Sequence, residues 1–271
     1  MPSRFTDLVK DKVLNHYFGS GTYTQGTSLS TSLHDDEPGT SGSTTHQIAN
    51  VAPELTPMAA AVDAVAINSG EVRFTTDNVV GGPHTVSYVA ASDSTGMLVY
   101  GEAQPNQQIT PGTDIVMAPG AFAVGIDTNG TPSPVDSLLA FTDVRCNEVL
   151  DMVLGGSVAS KPSSLRLSLH SNSSDADHQT GSSELSGGNY QRQTITFDAP
   201  EAGDITADAR MVKNTLEVRF EDITGTPRVE MWGVWDQAGN LIATGEFPPI
   251  ASVPENADIV FAAGEIKIQI D

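Results

Sequence analysis

The second half of this chain repeats the first half in diverged form. Three short stretches recur in the same order, although the spacing between the copies drifts, as happens when insertions and deletions collect in loops. Collinear similarity of this kind indicates a tandem duplication, so the chain is constrained to fold as two copies of one module. The matched stretches are L-x-T-x-L-H at 29–34 with L-x-L-x-L-H at 165–170, E-V-R-F at 71–74 with 217–220, and D-I-V at 114–116 with 258–260.

Repeated short strands separated by turn residues predict a mainly β fold. We expect two tandem β-sandwich or barrel-like modules, each preceded by a short helix. The first helix-plus-β module, a degenerate copy, covers 1–127, and a linker rich in Pro and Gly covers 128–141. The second module covers 142–271 and alone contains the segment S-G-G-N-Y-Q-R-Q.

Apolar residues at helical spacing predict one helix over 4–18, with Ser3 as its N-cap and Gly19 at its end, and another over about 143–154. Residues 49–67 fit either strands or a loose helix. Alternating apolar and polar residues predict strands in the second module at 165–170, 193–198, 216–220, 229–235, 241–244, 257–261 and 265–270.

The chain is strongly acidic, with 34 Asp and Glu residues against 13 Lys and Arg, for a formal net charge of −21. This charge disfavours binding to nucleic acid or to an anionic membrane surface. Scarce lysine and abundant aspartate suit a protein that works in molar salt, where screening removes self-repulsion. We therefore expect a halophilic source, and an ordinary acidic soluble protein is the alternative. We expect neither a signal peptide nor membrane insertion.

No recognised catalytic or cofactor motif occurs in the sequence, so we expect a protein that is not an enzyme and that has no cofactor or metal. The single cysteine, Cys146, lies among apolar residues and is expected to be buried. His34 and His170 occupy equivalent strand ends, where a structural role is expected. The acidic run at 35–37 could bind Ca²⁺ or Mg²⁺, but it lacks a calcium-loop pattern, which favours a solvated loop.

The most distinctive stretch is E-L-S-G-G-N-Y-Q-R-Q-T-I-T-F at 184–197. Its double glycine, Gly187 and Gly188, marks backbone conformations that side chains disfavour. Tyr190 and Arg192 are expected on one side of a strand that continues through Gln193. We expect Arg192 to pair with Asp175 or Asp177 and to stabilise the module, an interpretation favoured over ligand binding.

Trp232 and Trp235 lie in a predicted strand, three residues apart, and are therefore expected on opposite faces. One of them is expected in the core. The other could be an exposed platform for a sugar or an anchor at an interface, and burial of both is the alternative.

The second module resembles a family of minor virion proteins of tailed phages that are often labelled tail fibre proteins. The resemblance rests on L-x-L-x-L-H at 165–170, the segment at 184–197, D-x-x-G-N-L-I at 236–242 and F-x-A-G-x-I-x-I-x-I-D at 261–271. The first module keeps the strand to His34 but has S-G-S-T-T-H-Q-I around 41–48 instead of the S-G-G-x-Y-x-R-Q segment.

This resemblance implies a structural virion protein made in the host cytoplasm, here in tandem duplication and expected from a virus of a halophilic archaeon. The first expectation is a capsid decoration or turret protein that contacts the major capsid protein and forms a homotrimer or another symmetric oligomer. The second is a receptor-binding tail or baseplate module that recognises a host surface glycan. A virion-borne glycan hydrolase is the third, because the distance between carboxylates cannot be read from a sequence.

Overall fold

The computed structural model describes residues 3–42, 44, 46–48, 51, 54–76, 79, 83–126, 140–141, 143–154, 158–171, 183–203, 209–225, 228–250 and 253–270. Most of the predicted linker at 128–141 therefore lies outside the described residues. Its last two residues, Ala140–Phe141, form a short strand.

The first half of the chain contains one helix and nine strands within the described residues. In chain order they are β1 (Ser3–Phe5), α1 (Asp7–Tyr17), β2 (Ser30–His34), β3 (Glu54–Leu55), β4 (Val65–Ile67), β5 (Val72–Phe74), β6 (His84–Asp93), β7 (Gly96–Ile109), β8 (Ile115–Met117) and β9 (Ala123–Gly125).

The second half repeats this order and adds one strand, β13, that has no counterpart among the described strands of the first half. Its elements are β10 (Ala140–Phe141), α2 (Asp143–Leu154), β11 (Leu165–His170), β12 (Gln193–Ile195), β13 (Glu201–Ala202), β14 (Arg210–Lys213), β15 (Val218–Ile223), β16 (Val229–Trp235), β17 (Leu241–Ile250), β18 (Ala257–Phe261) and β19 (Lys267–Ile270).

Strand pairing is equivalent in the two halves. The two five-stranded antiparallel sheets have the orders β1-β7-β6-β2-β3 and β10-β17-β16-β11-β12. Smaller sheets pair β5 with β8 and β4 with β9 in the first half, and β15 with β18 and β14 with β19 in the second. The predicted mainly β fold with two repeated modules is confirmed, and no sheet among the described strands closes into a barrel.

The start of α1 differs from the prediction. Ser3 does not cap the helix, because it lies in β1, where it pairs with Gly101 of β7. Thr6 takes the N-cap position, since its carbonyl accepts hydrogen bonds from the backbone amides of Val9 and Lys10. The Thr6 hydroxyl donates instead to the carbonyl of Met97 at 2.7 Å. Pairing with β7 thus removes the first residues of the predicted helix, whereas α2 agrees with its predicted range.

By packing, the described residues fall into two compact units that are not contiguous in sequence. The division passes through both helices: α1 begins in the first unit and ends in the second, and α2 does the reverse. The expected modules at 1–127 and 142–271 are, by contrast, contiguous. The first unit comprises Met1–Lys12, Tyr23–Ile126 and Asn147–Ala159, and the second comprises Val13–Thr22, Asp127–Cys146 and Ser160–Asp271.

Each unit has its own apolar core. In the first unit, side chains of β2, β6 and β7 pack against side chains of β5 and β8, with Phe74 fully buried at the centre. In the second unit, Trp232 and Phe220 are almost completely buried, and Phe220 meets Phe261 edge to face. Cys146 is buried, as predicted. Burial of these aromatic and aliphatic side chains supplies most of the driving force for folding.

A buried asparagine connects the small strands of the first unit. The side-chain amide of Asn68 donates to the carbonyls of Gly70 at 2.7 Å and Ala118 at 2.9 Å. Its carbonyl oxygen accepts from the backbone amide of Phe122 at 2.9 Å. One side chain thus satisfies three backbone groups of the turns beside β5 and β9, which would otherwise be buried without partners.

Asn214 repeats this arrangement in the second unit. Its amide donates to the carbonyls of Leu216 at 2.8 Å and Ala262 at 2.9 Å, and its carbonyl accepts from the amide of Ile266 at 2.9 Å. The two asparagines were not singled out by sequence analysis, although Asn68 and Asn214 precede the repeated E-V-R-F stretches by the same distance.

We expect Asn214→Ala to lower the free energy of unfolding by about 3 kcal/mol, because it leaves buried backbone groups without hydrogen-bond partners. Urea unfolding followed by fluorescence measures the effect. Asn68→Ala is the matched substitution in the other unit and should cost a similar amount. A change below about 0.5 kcal/mol in both variants, the range of ordinary surface substitutions, would show that these bonds do not hold the turns.

Candidate functional site

The stretch at 184–197 follows the edge of the large sheet of the second unit. The Leu185 amide donates to the Leu169 carbonyl at 2.9 Å, and Glu184 forms a β-bridge with His170. After a turn, the chain returns as β12, which pairs with β11. The stretch therefore leaves the sheet and rejoins it on the same strand, so that its turn is fixed at both ends.

The double glycine forms this turn. Gly187 and Gly188 have φ angles of +96° and +60°, in the region that favours glycine. A Cβ atom at Gly188 would lie 2.3 Å from the hydroxyl oxygen of Thr224. Both the backbone conformation and the close approach of Thr224 therefore require glycine at 188, as the sequence indicated.

Glu184 organises the charged side chains of the stretch. Its carboxylate accepts hydrogen bonds from Arg192, with 2.7 Å between Nη2 and Oε2 and 2.9 Å between Nε and Oε1. The Tyr190 hydroxyl donates to the same carboxylate at 3.2 Å and accepts from the Leu169 amide at 2.9 Å. Two-pronged pairing of a guanidinium with a carboxylate fixes orientation as well as charge.

The aromatic ring of Tyr190 is packed as firmly as its hydroxyl group. It stacks on Phe220 with 5.8 Å between ring centroids and an interplanar angle of 6°. Burial raises the pKa of the Tyr190 phenol above its ordinary value, and the negative charge of Glu184 acts in the same direction. Tyr190 therefore stays protonated at all physiological pH values and serves as a hydrogen-bond donor to Glu184.

Arg192 also covers an indole ring. Its guanidinium lies 3.6 Å from the centroid of the Trp235 ring, a cation–π contact. The Trp235 indole N–H donates to the Ser168 hydroxyl at 2.7 Å, and Ser168 lies 2.7 Å from Nε2 of His170. A connected polar network thus runs from the turn into the middle of the sheet.

The structure places the residues predicted from sequence in three different ways. Tyr190 and Arg192 meet at Glu184, before β12 begins. Gln193 does not join them and instead donates to the Gln191 carbonyl at 3.0 Å. The predicted partners Asp175 and Asp177 lie outside the described residues. Sequence reasoning missed Glu184 as a partner, although it opens the motif and lies near enough in sequence to be considered.

Neither tryptophan offers an exposed platform. Trp232 is 0% exposed and Trp235 is 7% exposed. β16 is an inner strand between β11 and β17, and both of its faces are covered, so alternation along the strand does not bring either ring to solvent. Trp232 lies against Gly245, where an added Cβ atom would be 2.3 Å from the ring. Both indoles therefore belong to the core, which was the alternative interpretation.

The first unit keeps the frame of this site but not its charged cluster. Gln47 bridges His34 as Glu184 bridges His170, so Gln47 takes the place of the central carboxylate. The segment at 41–48 therefore aligns with residues of the second unit that end at Leu185. The positions equivalent to the S-G-G turn lie after residue 48. The serine–histidine contact is retained, with 2.9 Å between the Ser32 hydroxyl and Nε2 of His34.

The environment of His34 favours its neutral form. Burial lowers the pKa of His34 to about 4, although the nearby Asp35 carboxylate opposes this shift and His46 adds to it. Asp35 itself lies 3.8 Å from His46 and 3.7 Å from His84. No cluster of His, Cys, Asp or Glu with metal-binding geometry occurs among the described residues.

An exposed ionic triad occurs in both units. Arg219 bonds to Glu217 at 3.0 Å and to Asp258 at 2.8 Å. In the first unit Arg73 contacts Glu71 at 3.0 Å and Asp114 at 3.2 Å. The repeated E-V-R-F and D-I-V stretches contain all six residues, so the signal was present in the sequence, but the pairing across two strands required the structure.

Comparison with known protein families finds the same duplication. The family model described as "Podophage GP4 fiber I protein gp80" matches residues 4–125 and again residues 140–269. The chain belongs to this family. Two matches in tandem confirm the duplication, and family membership identifies a structural virion protein of a tailed phage. No curated protein matches the chain significantly. Within the described residues, no helix has the length and apolar character needed to cross a bilayer.

We expect Arg192→Ala to lower the free energy of unfolding of the second unit by about 2 kcal/mol, because Glu184 loses its partner and Trp235 loses the covering cation. Thermal unfolding measures the effect. Arg228→Ala is the control, since Arg228 pairs with Glu230 but is 58% exposed in its side chain and should matter little. An unchanged melting temperature of Arg192→Ala together with lost binding to virus particles would refute a stabilising role.

We expect acid to destabilise the first unit through His34. Because the pKa is 6.5 ordinarily and about 4 when folded, the unfolded chain binds more protons between these values. Stability is therefore fully present above pH 6.5 and falls as the pH drops towards 4, by about 3 kcal/mol from this group. Urea unfolding across this range measures the slope. His34→Asn should make the slope shallower, and an unchanged slope would contradict the assignment.

Proposed function

We propose that this chain is a capsid decoration or turret protein that self-associates on the shell of a tailed phage. The supporting observation is that the two units share a frame but differ in surface chemistry. The first unit presents neighbouring apolar side chains on and beside β4, and the second presents a fixed polar turn, with Leu216 as its most exposed large apolar side chain at 68%. In the proposed role the first unit attaches to the particle and the second faces outwards.

The apolar surface of the first unit lies on and beside β4. Val62 is 65% exposed, and Val65 and Ile67 on the same face of β4 are each 40% exposed. Exposed apolar side chains that neighbour one another are typical of protein–protein contacts. In the second unit Lys213 occupies the position of Ile67, relative to the shared asparagine, and pairs with Glu201 at 2.6 Å. The two copies have therefore diverged where attachment would occur.

The proposed partners are the major capsid protein and further copies of this chain, as a homotrimer or another symmetric oligomer, because decoration sites lie on or near symmetry axes. Many copies on one shell would add weak contacts into stable attachment. The role needs no catalysis and no cofactor. We retain the expectation of a halophilic host because of the acidic composition.

A receptor-binding module of the tail is the second candidate. The word fibre in the family description favours it, since a fibre projects from a particle and contacts a host. An open polar groove in the second unit, described below, also suits contact with a surface ligand. Both candidates are structural virion proteins and differ in where the chain is mounted.

We expect antibodies against the chain to label the heads of purified particles, imaged by electron microscopy in high salt, because a decoration protein covers the shell. Label confined to the tail would overturn the decoration proposal and favour the tail module. Absence of label from intact particles would contradict both.

A matched pair of substitutions tests whether the apolar side chains on and beside β4 attach the chain to the particle. Ile67→Lys gives the first unit the side chain that the second unit has at this position, and it should reduce incorporation into particles without unfolding the chain. Val260→Lys changes a side chain of the second unit that is similarly exposed, at 39%, and should leave incorporation unchanged. Equal incorporation of Ile67→Lys and the unaltered chain would show that β4 is not the attachment surface.

A further inference from the structure

The polar turn of the second unit forms one wall of an open groove. The groove has a volume of about 830 Å³. Asn189, Gln191 and Gln193 lie along one wall, and the exposed side of β15 with the residue preceding it forms the other. One of the two tryptophans was the predicted platform for a sugar, but both are buried. We propose instead that this groove binds a neutral polysaccharide chain.

The β15 wall presents polar groups that are already in place. Arg219 is held between Glu217 and Asp258, so its position does not depend on a ligand. The same two carboxylates compensate its charge, and Glu221 adds a further negative charge to the groove. Groups fixed before binding lose little entropy when a ligand arrives.

The opposite wall presents side-chain amides on a rigid support. The turn is anchored by the Glu184–Arg192 ion pair and by the stacking of Tyr190 on Phe220. Gln191, between these two anchors, is exposed to solvent. The Asn189 side-chain amide donates to the Asp222 carboxylate at 3.3 Å, which links the turn to β15. The side-chain amides carry donors and acceptors together, which matches the paired hydroxyl groups of a sugar ring.

The chemistry of the groove excludes several other ligands. It is too polar for an apolar ligand, whose sites are concave and mostly lined by hydrophobic side chains. The groove is lined by two glutamates and one arginine, and this excess of negative charge together with a formal net charge of −21 repels phosphates, nucleic acids and acidic glycans. An open groove with amides, carboxylates and one compensated arginine therefore favours a neutral, polyhydroxylated chain.

The two glutamates that line the groove are far apart along β15 and the residue before it. Glu217 and Glu221 are four residues apart on an extended segment, which places their backbones about 13 Å apart. Glycoside hydrolysis uses two carboxyl groups about 5–10 Å apart on either side of the scissile bond. Weak binding at one groove becomes useful on a particle, because many copies act together. This inference goes beyond the proposed attachment role and does not depend on where the chain is mounted.

The first unit provides a matched control. It has the same ionic triad, with Arg73 between Glu71 and Asp114, but it lacks the S-G-G-N-Y-Q-R-Q turn that supplies the amides. A triad without the facing amides should not bind a saccharide. Arg73→Ala and Arg219→Ala therefore each remove the arginine of one triad. Only the loss of Arg219 is expected to weaken saccharide binding.

The test is saturation-transfer NMR on the purified full-length chain, with oligosaccharides of glucose, mannose and N-acetylglucosamine as neutral probes and oligogalacturonate as the acidic probe. We expect transfer to at least one neutral probe and none to the acidic probe. Gln191→Ala and Arg219→Ala should each weaken binding by about tenfold, because each removes hydrogen bonds to the sugar, whereas Arg73→Ala should leave it unchanged. Neutral-probe binding should persist in high salt, since no net ligand charge is screened.

Three results would overturn the inference: no transfer to any neutral probe, transfer only to oligogalacturonate, or equal loss of binding in Arg73→Ala and Arg219→Ala. Circular dichroism of each variant separates loss of binding from loss of folding. The NMR measurement uses the isolated protein, so a negative result would not bear on where the chain is mounted on the particle. Equally, antibody label confined to the tail would not bear on saccharide binding by the groove.

Discussion

The second unit depends on one arginine whose charge has to be satisfied while most of its side chain is covered. Arg192 is 28% exposed in its side chain and lies between the Glu184 carboxylate and the Trp235 ring. A covered cation without these partners would be costly. The Arg192–Glu184 pair fixes the turn at 184–192 against the sheet. The turn then sets the positions of Tyr190 and of the side-chain amides that line the groove.

The duplication shows which interactions the fold itself requires. Both copies retain a buried asparagine beside the small sheets, a serine–histidine contact on β2 or β11, and an exposed Glu–Arg–Asp triad. The copies differ in the charged turn, the two tryptophans and the side chains of β4 and β14. The shared features maintain the fold that the two units have in common. The divergent features give the first unit an apolar surface on and beside β4 and the second unit a polar groove.

Membership of a phage fibre family agrees with this organisation. A virion protein has to hold the particle and meet its surroundings, and these tasks need different surface chemistries. A duplicated frame provides two surfaces in one chain without a second fold. The apolar side chains around β4 and the polar groove beside β15 are the two surfaces that we assign to these tasks.

The sequence alone determined the duplication, the mainly β class, the position of α2, the burial of Cys146 and the need for glycine at 187 and 188. These features follow from local spacing and local backbone conformation, which a sequence records directly. Only the tertiary structure decided that β1 replaces the first turn of the predicted α1, that Arg192 pairs with Glu184, and that both tryptophans are buried. Strand order, register and the covering of both faces of β16 arise from contacts between distant residues, and no local pattern in the chain encodes them.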